Sequence, residues 1–193
     1  MSTWTERAYA DARAYLAHRA QVVTQLGPRL EPGDALLDLA CGDAAFVDFL
    51  DPRVRYLGVD GSADMVAEAH ARGRDAVVAD LNTYAPSQPV AVTTCFRAIY
   101  YAHDRREFFE HVAGYTEKKL VFDLNPRQYD PADVFADLRA AGFARLAVRP
   151  FFSPQRVALP RLLHRGLTAL EDLKPVARLL LRFRFTYVCA ASR

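Results

Sequence analysis

Five short, largely apolar runs constrain this chain more than anything else in it: ALLDLA at 35–40, VRYLGV at 54–59, DAVVA at 75–79, VAVTTCF at 90–96 and KLVFDL at 119–124. A strand without polar alternation has to be covered on both faces, and a parallel sheet clad by helices does this. The spacers agree. Helical patterns at 44–50, Ser62–Arg72 and Asp104–Gly114 follow strands closely, the last opened by an aspartate suited to capping. A helix over 5–26, ended by Gly27-Pro28, precedes the first strand, and another at about 131–141 follows the fifth. GFARLAVRPFF and then FRFTYVCAA at 183–191 read as sixth and seventh strands. The expectation is an α/β, three-layer sandwich with a mostly parallel sheet of seven strands.

At 193 residues with 51% hydrophobic content, the chain is expected to be one domain spanning 1–193. Within it lie an N-terminal helix at 1–28 and a helical cap at about 150–182, broken near Pro175. With no run of about 18 apolar residues and a charged N-terminus, a cytoplasmic protein is expected. Cys41, Cys95 and Cys189 are far apart, inside apolar runs, and read as reduced thiols. The net charge of +2 conceals an asymmetry: residues 145–193 hold ten Lys or Arg against Glu171 and Asp172, so the remainder carries −6. That basic end suits an anionic substrate, a membrane surface or nucleic acid, and equally an arginine-rich solvated helix face.

In an open parallel sheet, ligands bind at the carboxyl ends of the strands, and Asp38, Gly42, Asp60 and Asp80 all fall there. Gly42, between the small residues Ala40 and Ala44, lets backbone come close to a ligand. Asp60 ends the second strand with two acceptor oxygens, matched to the paired hydroxyls of a ribose. LLDLACGDAAF, YLGVDGSADMV and VVADLN, in this order, resemble the first three motifs of class I S-adenosylmethionine-dependent methyltransferases over about residues 30–125.

The resemblance implies a Rossmann-like, seven-stranded sheet whose last strand is antiparallel, and S-adenosylmethionine as cofactor, held by Asp38, Ala40, Cys41, Gly42, Asp60, Gly61, Ser62, Met65, Asp80, Leu81, Phe96 and Arg97. Asp38 would anchor the glycine loop or, directly or through water, the cofactor ammonium; capping the next turn is the plainer role. Met65 would pack on adenine, or simply fill core. Asp80 would take the adenine amino group, with the Leu81 amide serving a ring nitrogen, although a strand-end turn also favours aspartate. Ala44 departs from the pattern, since the family usually has glycine there, and alanine restricts positive φ. ACGDAA also lacks the glycines of a nicotinamide-type pyrophosphate loop.

FRAIYYAHD at 96–104 stands where related enzymes meet both the methionine arm and the substrate. Aromatic rings there suit a sulfonium, and His103 and Tyr101 are the candidate catalytic residues, His103 as general base where an acceptor must lose a proton. Tyr100, Asn125, Arg127 and Tyr129 are the candidate substrate contacts, with Pro126 making that segment a turn in any case. The N-terminal helix would lie over the site as in many relatives, bringing Tyr9, Tyr15 and Arg19 near, or else pack on the sheet. The histidines show no ligand spacing, so no metal is expected.

The function expected is methyl transfer to an O, N or C atom of a small, apolar or amphiphilic molecule, with peripheral membrane contact through the basic end. Modification of nucleic acid or protein, or a binding protein without activity, are the alternatives. Nucleic acid is the weaker partner, because the aromatics are not interleaved with the arginines.

Overall fold

The computed structural model describes residues 4–171, 173 and 186–193. The N-terminal pattern is two helices, α1 (Trp4–Ala8) and α2 (Ala12–Gln25), where one continuous helix is expected from the periodicity. Asp11 causes the break: its Oδ1 accepts the Ala14 amide at 2.9 Å as a new N-cap, while the freed Ala10 amide donates to the Gln155 carbonyl.

The sheet strands are β1 (Ala35–Leu39), β2 (Arg55–Asp60), β3 (Ala76–Val78), β4 (Val90–Cys95), β5 (Thr116–Leu124), β6 (Arg145–Pro150) and β7 (Tyr187–Ser192). Their order is β3-β2-β1-β4-β5-β7-β6, with β7 antiparallel to both neighbours and the other pairings parallel, as the resemblance implies. Three more helices, α3 (Ala63–Ala71), α4 (Arg105–Tyr115) and α5 (Pro131–Ala140), clad the sheet, and α6 (Arg161–Glu171) follows β6. The expected helix at 44–50 is a 3₁₀ turn over Ala45–Phe49. β5 begins at Thr116, directly after α4, so it is longer than KLVFDL alone. Of the predicted cap at 150–182, the described part is an irregular stretch and α6; the break near Pro175 and residues 183–185 of the seventh strand lie outside the described residues.

The first strand feeds two cores, as a period of two requires. Leu36 joins α2 and the 3₁₀ turn through Leu16, Val22, Val23 and Phe46. Leu37 and Leu39 join α4 and α5 through Phe108, Phe109, Val134 and Leu138. Asp38 therefore shares the α2 side with Leu36. Lys119, fully buried in β5, donates its ammonium to the carbonyls of Val23 at 2.6 Å and Leu26 at 2.7 Å, closing the C-terminal end of α2 against the sheet.

Candidate active site

The strand order reverses between β1 and β4, and at their carboxyl ends the chain leaves a cavity of about 880 Å³. Ala40 (φ +57°), Gly42 (φ +58°) and Ala44 (φ +54°) are all left-handed, so the loop after β1 coils back on itself. Ala44 is fully buried with Val66, Ala69 and Ala76 and does not line the cavity; its methyl group is spent on packing α3 against the loop. The glycine missing at this position thus leaves the ligand space open.

Asp60 joins loop to helix. One carboxylate oxygen accepts the Gly42 amide and the other the Ser62 amide, both at 2.9 Å. Each oxygen keeps a lone pair for a ligand, which fits paired hydroxyls. Asp38 is buried, accepts the Thr94 hydroxyl at 2.6 Å and the Tyr56 phenol at 3.3 Å, and burial pushes its carboxyl up to about 6. Gly58, paired with Asp38 across the sheet, makes this possible: a Cβ there would meet Cys41 Sγ at 2.7 Å and Tyr56 Oη at 2.9 Å.

Along the adenine-expected side, Gly61, Met65, Asp80 and Leu81 line the cavity with Ser62, whose Oγ caps α3 by accepting the Met65 amide. Asp80 directs one oxygen to the amide and side chain of Asn82, and these hydrogen bonds hold its carboxyl below the usual range. Asn82 in turn donates to the Tyr101 carbonyl at 3.2 Å and accepts the His103 amide at 3.0 Å. Thus Asn82 fastens the loop after β3 to the loop after β4.

On the opposite side stand Phe96, Arg97, Tyr100, Tyr101 and His103. One face of Phe96 already carries the buried guanidinium of Arg19, 4.5 Å from the ring centre, and Arg19 also donates to Tyr9 and Tyr15. Arg97 is left-handed at φ +56°, with its amide given to Asp123 at 2.6 Å. Tyr100 and Tyr101 are half exposed with ring centres 4.4 Å apart, and desolvation followed by the Tyr101 hydroxyl pushes Tyr100 up to about 12. Over the loop lies α1: Thr5 donates its amide and hydroxyl to buried Asp43, the hydroxyl at 2.6 Å, and Trp4 sits against Gly42.

Arg97 and Tyr100 also border a second cavity of about 550 Å³, lined by Asn125, Gln128 and the stretch Phe151–Gln155. Of the four candidate substrate contacts, Asn125 and Tyr100 thus line this second cavity. Arg127 and Tyr129 line neither cavity. The Asn125 carbonyl accepts the amides of Gln128 and Tyr129, a turn that sends the Tyr129 ring under Arg105 of α4, 5.4 Å from its guanidinium. Trp4, Thr5, Tyr56 and Thr94 were not singled out by their sequence context; only the chain reversal brings them to the loop. Among the described residues no group of His, Cys, Asp or Glu could hold a metal ion.

Residues 37–119, which contain the end of β1, the whole glycine loop and β2 to β4, match the family described as methyltransferase domain. Trans-aconitate 2-methyltransferase of Escherichia coli O157:H7 (strain EC4115 / EHEC) is 30% identical over 134 residues, covering 66% of this chain and 49% of that protein. This chain spans about half the length of the curated relatives it matches. Among solved structures, an S-adenosylmethionine-dependent methyltransferase from Clostridium acetobutylicum superposes with a TM-score of 0.64 at 14% identity, covering 97% of this chain and 94% of the other. The magnesium protoporphyrin IX methyltransferase from Synechocystis, solved with bound S-adenosylmethionine, gives 0.61 at 17% identity over 84% of this chain and 71% of its own. At such identities the likeness is one of fold.

Proposed function

We propose that this protein is an S-adenosylmethionine-dependent methyltransferase acting on a small molecule. The observation that carries the reading is Asp60: its carboxylate bridges the glycine-loop amide and the first amide of α3 at the mouth of an open cavity, with lone pairs to spare. The match of residues 37–119 to a methyltransferase domain and relatives named for a small-molecule acceptor support it.

Asp60 would take the ribose hydroxyls, Asp80 and the Leu81 amide the adenine edge, and Met65 an adenine face. Ala40, Cys41, Gly42, Gly61 and Ser62 would supply backbone around them, and Asp38, with Thr94 and Tyr56 behind it, would face the ammonium. When bound, S-adenosylmethionine supplies a methyl group already activated by its sulfonium charge. What the chain must then do is hold an acceptor in line and exclude water, which removes orientational entropy from the barrier. Arg97 and Tyr100, which line both cavities, and Phe96 and Tyr101 on the wall of the first would serve this purpose. Where the acceptor carries a proton, His103 at the rim takes it, with Tyr101 beside it.

The second cavity mixes Phe151, Phe152 and Ile99 with Asn125, Gln128 and Arg97, a lining that suits a small amphiphilic acceptor. No described helix is long and apolar enough to cross a membrane. A cytoplasmic location with peripheral contact through the basic C-terminal segment completes the proposal. Calorimetry with S-adenosylmethionine tests the first half: micromolar binding is expected, and folded protein that binds none at millimolar cofactor would refute it. Transfer of labelled methyl across an acceptor screen tests the second.

A further inference from the structure

Helix α6 is docked the wrong way round. In RLLHRGLTALE, His164, Thr168 and Glu171 share one face by their i, i+4, i+7 spacing, and Leu163, Leu167 and Leu170 share another, widened by Leu162 and Ala169. An amphipathic helix on a globular domain normally buries its leucines. Here the polar face is the one held. Glu171 is 3% exposed, accepts Arg149 Nε at 3.0 Å and the Phe152 amide at 2.6 Å, and lies 2.9 Å from Nε2 of buried His18. His164 Nε2 is 2.8 Å from Ser153 Oγ, which is itself 2.6 Å from His18 Nδ1, and Arg149 also donates to the Thr168 carbonyl. The leucines face outward, with Leu162 83% and Leu163 52% exposed, alongside exposed Leu170, Leu173 and Val157.

We infer that this leucine face is a docking surface for an anionic lipid membrane. Charge selects the partner. Arg161 and Arg165 run along one border of the face, with Arg156 exposed just before the helix, and residues 145–170 contain no Asp or Glu at all. In sequence the segment continues through Lys174, Arg178, Arg182 and Arg184, while residues 1–144 are net acidic. Apolar side chains bordered by arginine are what enters a headgroup layer of negative charge. Pairing two copies through this face would bring arginine borders together with no carboxylate from that stretch to neutralise them. Holding the polar face by buried hydrogen bonds, instead of leaving it in water, fixes how the domain sits on the surface. The stretch Phe151–Gln155, which lines the second cavity, leads directly into α6. This deepens the membrane contact of the proposed function and rests on that reading for its purpose, but not for its test.

The full chain is centrifuged with vesicles of phosphatidylcholine alone, and of three parts phosphatidylcholine to one part phosphatidylglycerol. Binding at least tenfold tighter to the anionic vesicles, weakening with salt, is expected. L162D/L163D should lose at least tenfold of that binding with an unchanged melting temperature, and R161E/R165E should lose the lipid-charge preference, roughly fivefold per arginine. Several outcomes overturn the inference: no binding to either vesicle, equal binding to both, or a dimer in sedimentation that L162D/L163D dissociates. A loss of melting temperature in L162D/L163D without vesicle binding would also do so, by showing that the chain covers its own face. Cofactor calorimetry is independent of all of these, so a protein that binds vesicles but no S-adenosylmethionine would refute the function and leave this surface standing.

Discussion

The Thr94 hydroxyl donates to the Asp38 carboxylate at 2.6 Å across the β1–β4 pairing, the two strands that flank the point where the sheet order reverses. Burial outweighs this bond and the Arg19 charge, raising Asp38 to about 6. In the folded protein without ligand the proton is therefore bound more tightly than in the unfolded chain, and as pH rises from the ordinary aspartate range to about 6 this residue lowers stability, by up to roughly 3 kcal/mol. A cationic ammonium needs the ionised form. Affinity for S-adenosylmethionine should thus rise with pH through about 6 and level off above it, and D38N should flatten the profile. Calorimetry from pH 5 to 8 reads both.

The two amides on Asp60 predict a separation of effects between substitutions. D60A removes the acceptors for the ribose and for Gly42 and Ser62, and charged hydrogen bonds worth about 1.5–3 kcal/mol each imply a loss of cofactor affinity near 100-fold. D60E keeps the charge but displaces it from the Gly42 amide, and should recover only part. Equal affinity for wild type and D60A would contradict the assigned ribose contact.

How much of this was legible beforehand depends on whether the signal was local. The seven strands and the Asp60–Gly42 neighbourhood follow from apolar runs and the residue types at their ends, and the antiparallel seventh from the resemblance. The split of α1 from α2 turns on Asp11 together with a carbonyl from Gln155, about 145 residues away, which no periodicity reveals. Tyr56 and Thr94 look like ordinary strand residues until β1 is placed between β2 and β4. Arg127 and Tyr129 were drawn to the site by proximity to Asn125, and the turn at Pro126 carries them past it. The inward polar face of α6 was hidden for a related reason: its partners His18, Arg149 and Ser153 come from three other segments.

Ala44 combines a left-handed backbone with complete burial. Glycine would relieve about 1 kcal/mol of backbone strain but forfeit a buried methyl worth a similar amount, so A44G should shift stability by less than about 1 kcal/mol and leave cofactor affinity unchanged. A44V should be poorly folded, because a branched side chain suits neither the φ nor the space. Thermal melts with a cofactor titration distinguish the two; a large gain in affinity for A44G would show that the methyl obstructs the site.

Asp43 ties α1 to the site through Thr5, and to Arg72 at the end of α3. T5V keeps the shape but deletes the hydroxyl and leaves a buried carboxylate short of a donor, at a cost of about 1–3 kcal/mol. A five-residue helix is marginal by itself. Amide exchange of residues 4–8 should accelerate in T5V while α2 stays protected, and cofactor affinity should fall several-fold as Trp4 leaves Gly42. Unchanged exchange would mean that the Trp4 contacts alone hold the helix.

Lys119 offers a test of the fold away from the cofactor. Its ammonium meets two carbonyls of the α2 end, yet desolvation, reinforced by Lys118, lowers it to about 8 from an ordinary 10.5. Between those values the unfolded chain binds the extra proton, so the contribution of this residue to stability increases with pH, by at most about 1.4 kcal/mol per unit. K119M removes the titration and leaves the Val23 and Leu26 carbonyls without their donor, which costs about 1–3 kcal/mol at neutral pH. The stability difference between wild type and K119M, followed by denaturant unfolding, should widen from pH 8 to 10. Curves that stay parallel over that range would show that the ammonium is as well solvated in the fold as outside it.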